Sequence, residues 1–169
     1  MLEDGTVAAP GQTGEVQLRG PGLFRGYWNN PGATTAAFAE DEWLKTGDLA
    51  FARPDGLWTL KGRRGEMFKS GGYNVYPREI EQALETHPDV ALATVVEIPD
   101  PLYFEVGHAF ICAHPDARPS EAGLLAHLRP RLANYKIPKR VHILPSMPML
   151  PIGKVDKHRL REIARESAG

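Results

Sequence analysis

The sequence predicts an α+β fold, in which a β-rich segment over residues 1–62 precedes a small α/β domain over residues 63–169. Three observations lead to this prediction. The 169 residues are 42% hydrophobic and 24% charged, as in ordinary globular proteins. All three tryptophans and ten of the 17 glycines lie in the first segment. After Gly62 the chain alternates between apolar residues at helical spacing and β-branched runs, which indicates alternating helices and strands.

The first segment begins with a short strand and a short helix. Alternating polar and apolar residues predict a strand over Glu15–Arg19, with Val16 and Leu18 on one face. Asn30 precedes a proline, a pairing typical of a helix cap and a first helical position. A short helix is therefore expected to begin there and to end near residue 38.

The rest of this segment predicts a loop and a hairpin. The loop is expected around Trp43 and Thr46-Gly47-Asp48. Two short strands, Leu49–Arg53 and Leu57–Lys61, flank Pro54-Asp55-Gly56, which is a turn sequence. Because so few strands cannot close a core alone, residues 1–62 are interpreted as the end of a larger domain.

The second segment opens with a helix and two strands. Pro77 can occupy the first turn of a helix that carries an apolar stripe and ends near residue 87. Val90–Ile98 is almost continuously apolar, as expected of a strand covered on both faces. His108–His114 predicts another strand, and Cys112 falls at one of its apolar positions, as a small hydrophobe would.

Two capped helices and a third strand complete this domain. Ser120 is placed to cap one helix and Asp156 to cap the other. The first of these helices lies between the His108–His114 strand and a strand over Arg140–Leu144, so these two strands are candidates for parallel pairing. The expected domain is a sheet of about three strands with flanking helices.

Composition excludes several classes of protein. No apolar run approaches the roughly 20 residues that a membrane helix requires, and no signal peptide precedes the fold, so a cytoplasmic protein is expected. A single cysteine excludes an internal disulfide framework, and no metal site is expected. Ten basic residues against two acidic ones over residues 129–165 fit a solvated helix face better than nucleic-acid binding.

Common catalytic motifs are also absent from the sequence. Gly153-Lys154 lacks the earlier glycine and the following Ser or Thr of a phosphate-binding P-loop. Gly20-Pro21-Gly22 does not complete a dinucleotide-binding fingerprint, and no serine-hydrolase or zinc-protease motif occurs.

Four clusters of glycine, aromatic and charged residues remain. They are GYWNNP (26–31) with WLKTGD (43–48), GRRGE (62–66) with KSGGYNVYP (69–77), YKIPK (135–139) and LPIGKVDK (150–157). In this order and spacing, over nearly the whole chain, they resemble the C-terminal third of the adenylate-forming enzymes, most closely the acyl-CoA synthetases.

The resemblance implies roles for three charged residues. Asp48 corresponds to an acid that binds the two ribose hydroxyls of the nucleotide, and a carboxylate suits that task because it accepts two hydrogen bonds. Arg63 corresponds to a second ribose contact. Lys154 corresponds to the lysine of the adenylation step, where its compact charge faces an α-phosphate and a carboxylate. The simpler interpretations are a turn aspartate, a surface arginine and a solvated lysine.

The resemblance also implies a loop for the thiol and a hinge. The segment from Lys69 to Tyr76 is similar to the loop that lines the pantetheine tunnel, where Gly71 and Gly72 provide backbone without side chains. Many relatives carry an Asp or a Lys as the hinge residue two places after the arginine. This chain has Gly65 there, which can absorb a dihedral change but offers no side-chain contact.

The implied reaction joins a carboxylic acid to CoA at the expense of ATP, with Mg²⁺ accompanying the nucleotide. Residues 1–62 resemble only the end of the family's large N-terminal domain, and its phosphate loop and acyl pocket have no counterpart in this sequence, so the chain alone is expected to be inactive. Two alternatives stay open. One is an adenylation module that loads a carrier protein, and the other is a non-catalytic truncated domain.

Overall fold

The computed structural model describes residues 1, 2 and 5–167, and it divides into two compact units, Met1–Gly65 and Glu66–Gly169. Both units combine strands and helices, which confirms the predicted fold class.

The first unit is built on a three-stranded antiparallel sheet in the order β1-β2-β3. Its elements are β1 Gly14–Leu18, α1 Pro31–Ala37, β2 Leu44–Ala52 and β3 Trp58–Arg63. The side chain of Asn30 accepts a hydrogen bond from the Ala33 amide at 2.9 Å, which confirms the predicted cap. The predicted hairpin is also confirmed, with longer strands than expected.

Two details of this sheet differ from the sequence predictions. Thr46-Gly47-Asp48 lies inside β2, where a loop was expected. The pairing between β1 and β2 passes from Gln17–Lys45 to Glu15–Leu49, so these three residues bulge opposite a single residue of β1. The residues that β1 buries also differ from the prediction. Glu15 is buried, whereas Leu18, which was expected on the apolar face, is 47% exposed. The bulge explains the buried carboxylate, since it turns the Gly47 amide towards Glu15.

The second unit contains a five-stranded sheet, where about three strands were expected. Its strands are β4 Phe68–Ser70, β5 Tyr73–Val75, β6 Val90–Asp100, β7 Phe104–Ala113 and β8 Arg140–Ile143. The order is β5-β4-β7-β6, and β8 pairs with β7 in parallel. The parallel pair confirms the crossover prediction. The two additional strands form a short hairpin that was interpreted as a loop.

Three helices cover the two faces of this sheet. They are α2 Pro77–Glu85, α3 Glu121–Leu128 and α4 Lys157–Glu166. Ser120 and Asp156 accept hydrogen bonds from the amides of Gly123 and Arg159, so both predicted caps are confirmed.

The sheet separates two hydrophobic cores. On one face, α2 and α3 pack through Ile80, Leu84, Leu124 and Leu128, all fully buried. On the other face α4 packs alone over Val96, Ile98 and Phe110. This division follows from the alternation of side chains along β6 and β7. Cys112 is half-buried against the second core, and burial raises the pKa of its thiol.

Candidate functional site

Asp48 and Arg63, both predicted to contact ribose, are brought together in the first unit. They are direct cross-strand neighbours in β2 and β3. The Nε atom of Arg63 donates a hydrogen bond to Oδ1 of Asp48 at 2.9 Å. The Asp48 side chain is 37% exposed and the Arg63 side chain 57%, so both can be reached by a ligand. The arrangement offers an acceptor and a donor side by side, as two vicinal hydroxyls require.

The bulge around Asp48 is held by a network that sequence reasoning missed. The Thr46 hydroxyl donates to the carbonyl of Val16 at 2.7 Å and accepts from the Asp48 amide at 3.0 Å. The Gly47 amide donates to Oε1 of the buried Glu15 at 3.1 Å. Gly47 has a φ of 75°, which favours glycine. The sequence signal that could have identified this network was Glu15, a glutamate within a strand of alternating polar and apolar residues.

Lys154 lies on a tight turn just before α4 in the second unit. The Gly153 amide donates to the carbonyl of Leu150 at 2.9 Å, and the Leu150 amide donates to the carbonyl of Lys154 at 2.7 Å. Gly153 has a φ of 77°, so the turn itself favours glycine at that position. The Lys154 side chain is exposed and has no ion-pair partner among the described residues. A free ammonium group is thus presented at the surface by a rigid turn.

Lys69, Gly71 and Gly72 lie on the β4–β5 hairpin. The two glycines form its two-residue loop with φ values of 55° and 87°, the backbone of a tight hairpin turn. The Gly71 amide donates to the carbonyl of Tyr103 at 3.0 Å. The Lys69 amide donates to the Glu105 carboxylate at 3.2 Å. The lysine side chain is exposed.

An aromatic and cationic groove of about 530 Å³ runs beside this hairpin. Its lining includes Gly71, Tyr73, Tyr103, Arg129, Tyr135 and Lys139. The rings of Tyr73 and Tyr135 stack at a centroid distance of 4.6 Å. The Nζ atom of Lys139 lies 5.6 Å from the centre of the Tyr103 ring. Such a surface suits a planar group that carries negative charge.

Sequence reasoning found only part of this groove. Tyr135 and Lys139 belong to the YKIPK cluster, but no site role was assigned to them from the sequence. Tyr103 was missed because it lies in the β6–β7 turn, far along the chain from the hairpin it contacts. The available signal was a pair of aromatic residues, Tyr103 and Phe104, shortly after the turn sequence Asp100-Pro101.

Gly65, the predicted hinge residue, is the last residue of the first unit. Its φ is outside the positive range, and a Cβ atom built on it would meet no atom within 4 Å. Neither backbone conformation nor packing therefore requires glycine at this position.

The described residues contain no helix with the length and apolar character needed to cross a bilayer. Over the same residues, no group of three or more His, Cys, Asp or Glu side chains could hold a metal ion.

Comparison with known proteins matches residues 79–154 to the AMP-binding enzyme C-terminal domain. The chain is 40% identical to the sulfoacetate–CoA ligase of Cupriavidus necator over 157 residues, which are 93% of this chain and 31% of that enzyme. The ATP-bound structure of MatB from Rhodopseudomonas palustris has a TM-score of 0.87 and 32% identity, over 99% of this chain and 33% of MatB. The amide bond synthetase McbA from Marinactinospora thermotolerans has a TM-score of 0.89 and 35% identity, over 95% of this chain and 33% of McbA.

The chain thus spans about a third of the length of the relatives it matches. Identity, fold and coverage all agree with the resemblance found from the four sequence clusters. The chain therefore matches the C-terminal domain of AMP-forming acyl-CoA ligases, and solved structures of adenylate-forming enzymes share its fold.

Proposed function

We propose that this chain supplies the C-terminal third of an ATP-dependent, AMP-forming carboxylic acid–CoA ligase. The exposed Lys154 ammonium group on its rigid turn is the observation that carries the proposal. In the first step the carboxylate attacks the α-phosphate of ATP, which gives acyl-AMP and pyrophosphate. In the second step the thiol of CoA attacks the acyl carbon and releases AMP.

In this proposal Lys154 acts in the adenylation step. Negative charge builds up on the oxygens of the α-phosphate while the carboxylate attacks. A lysine ammonium is a compact positive charge that can approach both groups. Because no described side chain neutralises Lys154, its full charge is available for this task.

Asp48 and Arg63 bind the ribose of the nucleotide in this proposal. The Asp48 carboxylate accepts hydrogen bonds from the ribose hydroxyls, and the Arg63 guanidinium holds that carboxylate at 2.9 Å. The Mg²⁺ that accompanies ATP is assigned to the phosphate loop of the large domain, since the described residues offer no cluster of metal ligands.

The groove beside Gly71 and Gly72 favours CoA over a carrier protein as the acceptor of the acyl group. CoA carries an adenine nucleotide with several phosphates, whereas the phosphopantetheine arm of a carrier protein has no adenine and only the one phosphate that links it to the protein. Stacked tyrosines and two cations, Arg129 and Lys139, fit that adenine nucleotide. Gly71 and Gly72 then leave room for the extended thiol arm.

Residues 1–62 are assigned to the end of the large AMP-binding domain and residues 63–169 to the mobile C-terminal domain, with Gly65 as the hinge. Nothing in the packing around Gly65 requires a glycine. The property that would suit Gly65 to a hinge is therefore the conformational freedom of its backbone. The isolated chain is expected to lack ligase activity, and the complete enzyme is assigned to the cytoplasm, where ATP and CoA are available.

A chimera tests this function directly. The first two thirds of the C. necator sulfoacetate–CoA ligase are joined to this chain, and sulfoacetyl-adenylate and sulfoacetyl-CoA are measured. We expect the chimera to form both products. Lys154→Ala should abolish adenylate formation while thioester formation from supplied acyl-adenylate continues. Arg165→Ala is the matched control, because it removes an exposed cation from α4 in the same unit.

Two results would contradict the proposal. One is unchanged adenylate formation by Lys154→Ala, and the other is ligase activity of the isolated chain. A carrier-loading module would prefer phosphopantetheine on a protein to free CoA in the same assay. Titration of the isolated chain with AMP and CoA separates a ligand-binding module from a non-catalytic domain that binds neither.

A further inference from the structure

A second lysine close to Lys154 makes an ion pair with the residue that follows the predicted hinge. The Nζ atom of Lys157 donates to Oε2 of Glu66 at 2.7 Å. The exposed fractions of the two side chains are 25% and 39%, so solvent screens this pair less than a fully exposed one. The contact joins two points of the second unit that are 91 residues apart in sequence.

One end of this ion pair lies directly beside the hinge position. Glu66 immediately follows Gly65 and is the first residue of the second unit. Met67 then leads into β4, where Phe68 is buried in the first core. A rotation about Gly65 therefore reaches Glu66 before any other residue of the second unit.

The other end belongs to the element that carries Lys154. Lys157 is the first residue of α4, and Asp156 caps that helix. The amide of Asp156 also donates to the carbonyl of Pro148 at 2.9 Å, which closes the base of the lysine turn. The helix is fixed to the sheet by Arg161, which donates to both carboxylate oxygens of Glu97 at 2.8 and 3.0 Å.

A buried carboxylate gives Lys157 a second electrostatic task. Glu81 of α2 is only 8% exposed and accepts a hydrogen bond from the Val95 amide at 3.0 Å. Burial raises the pKa of Glu81, and the positive charges of Lys157 and Arg78 oppose that rise. Lys157 therefore serves two carboxylates, whereas Glu66 has one cationic partner among the described residues.

We propose that the Glu66–Lys157 ion pair is a positioning contact that makes the residue after the hinge and the Lys154 turn one rigid piece. The proposal rests on the function proposed above for Gly65 and Lys154. With the pair intact, motion is confined to Gly65 and the residues before it. Without the pair, the first residues of the second unit move separately from the lysine turn, and Lys154 loses its fixed relation to the hinge.

Hydrogen exchange on the 169-residue chain tests the rigid connection without any requirement for activity. The reporters are the amides that close the lysine turn, those of Leu150, Gly153 and Asp156. Glu66→Gln should accelerate their exchange about fivefold, because a charge-assisted hydrogen bond is replaced by a neutral one. Lys157→Gln should have a larger effect, because it also removes one of the two cations near Glu81 and leaves only Arg78. Lys157→Arg keeps the charge and should restore slow exchange.

Arg159→Gln is the matched control, because it breaks an exposed ion pair with Glu162 in the first turn of the same helix. It should leave the exchange of the lysine turn unchanged. In the chimera, Glu66→Gln should lower adenylate formation about fivefold relative to thioester formation from supplied acyl-adenylate.

The proposal is overturned if Glu66→Gln leaves the exchange unchanged, or if Arg159→Gln accelerates it equally. It is also overturned if Glu66→Gln lowers the rates of both half-reactions of an active chimera equally. An equal decrease would mean that the substitution only reduces the amount of folded enzyme. A chimera that forms no acyl-adenylate with the wild-type chain contradicts the proposed function instead, and the exchange measurement then still decides the role of the ion pair.

Discussion

The pair formed by His108 and His142 predicts a loss of stability of the second unit in mild acid. Nδ1 of His108 and Nε2 of His142 are 3.1 Å apart, and the ring centres are 5.3 Å apart. One of the two facing nitrogens donates a hydrogen bond to the other, so protonation of the accepting nitrogen would break this bond and place a positive charge in a buried position.

The surroundings of His108 determine the size of the effect. The residue is 6% exposed, and burial lowers its pKa from 6.5 to about 4, with smaller contributions in the same direction from His142 and Arg140. Glu121 opposes the change. The pKa of His142 is also lowered, chiefly by burial.

The sign of the pH dependence follows from these directions. Because the pKa of His108 is lower in the folded state, the unfolded chain binds more protons between pH 6.5 and 4, and stability is lost as the pH falls through this range. A change from 6.5 to about 4 corresponds to about 3 kcal/mol, at about 1.4 kcal/mol per pH unit. Above pH 6.5 the contribution of neutral His108 to the free energy of unfolding is fully present.

Urea unfolding at pH 7, 6, 5 and 4 measures the effect, and the chain provides an internal control. All six histidines follow residue 65, and all three tryptophans precede it. Methyl NMR signals of Val96 and Leu160 therefore report on the unit with the histidines, while tryptophan fluorescence reports on the unit without them. His108→Gln should remove about 3 kcal/mol of the pH dependence from the NMR transition only. His158→Gln is the matched control, because its side chain is 83% exposed.

The reasoning is refuted if the His108→Gln chain loses as much stability between pH 7 and pH 4 as the wild-type chain does. It is also refuted if the tryptophan transition shows the same histidine-dependent slope.

Three substitutions test the backbone and the core. Phe104 has a φ of 66° and is 80% exposed, so Phe104→Gly should raise the free energy of unfolding by about 0.5–1 kcal/mol in a urea titration; a loss of stability would contradict the strain argument. Gly71→Ala should lower the free energy of unfolding by about 1 kcal/mol, because φ at this position is 55°. It should also reduce CoA binding in calorimetry, because the new methyl group would lie 3.3 Å from the Tyr103 ring. Unchanged binding would contradict the assignment of the groove to CoA. Leu160→Ala should lower the unfolding free energy by about 2–5 kcal/mol, since Leu160 is fully buried, whereas a change below about 1 kcal/mol would show that the core is incorrectly described.

Local hydrogen bonding explains which parts of the fold could be predicted from the sequence. The caps at Asn30, Ser120 and Asp156 were predicted correctly, because each depends on one side chain and an amide three residues away. The parallel pairing of β7 and β8 was also predicted correctly, because a helix that connects neighbouring strands restricts their direction.

Long-range pairing explains what was missed. The β4 and β5 strands have three residues each, too few for a periodicity to be visible, although the Gly-Gly pair between them is a known hairpin signal. The bulge of β2 depends on Glu15, which lies more than 30 residues earlier. The groove likewise depends on Tyr103, whose position is set by the pairing of β6 with β7. A local window of sequence can mark such residues, but it does not identify the distant partners that they contact.

The placement of the two cores on opposite faces of one sheet has an evolutionary consequence. The turn that carries Lys154 rests on the α4 core through Val155, whereas the tyrosine groove adjoins α3 on the opposite side. Substitutions that reshape the support of one therefore leave the packing of the other intact. Under the proposed function, selection can thus alter the preference for the acyl acceptor at the groove while the packing that supports the proposed adenylation lysine stays unchanged.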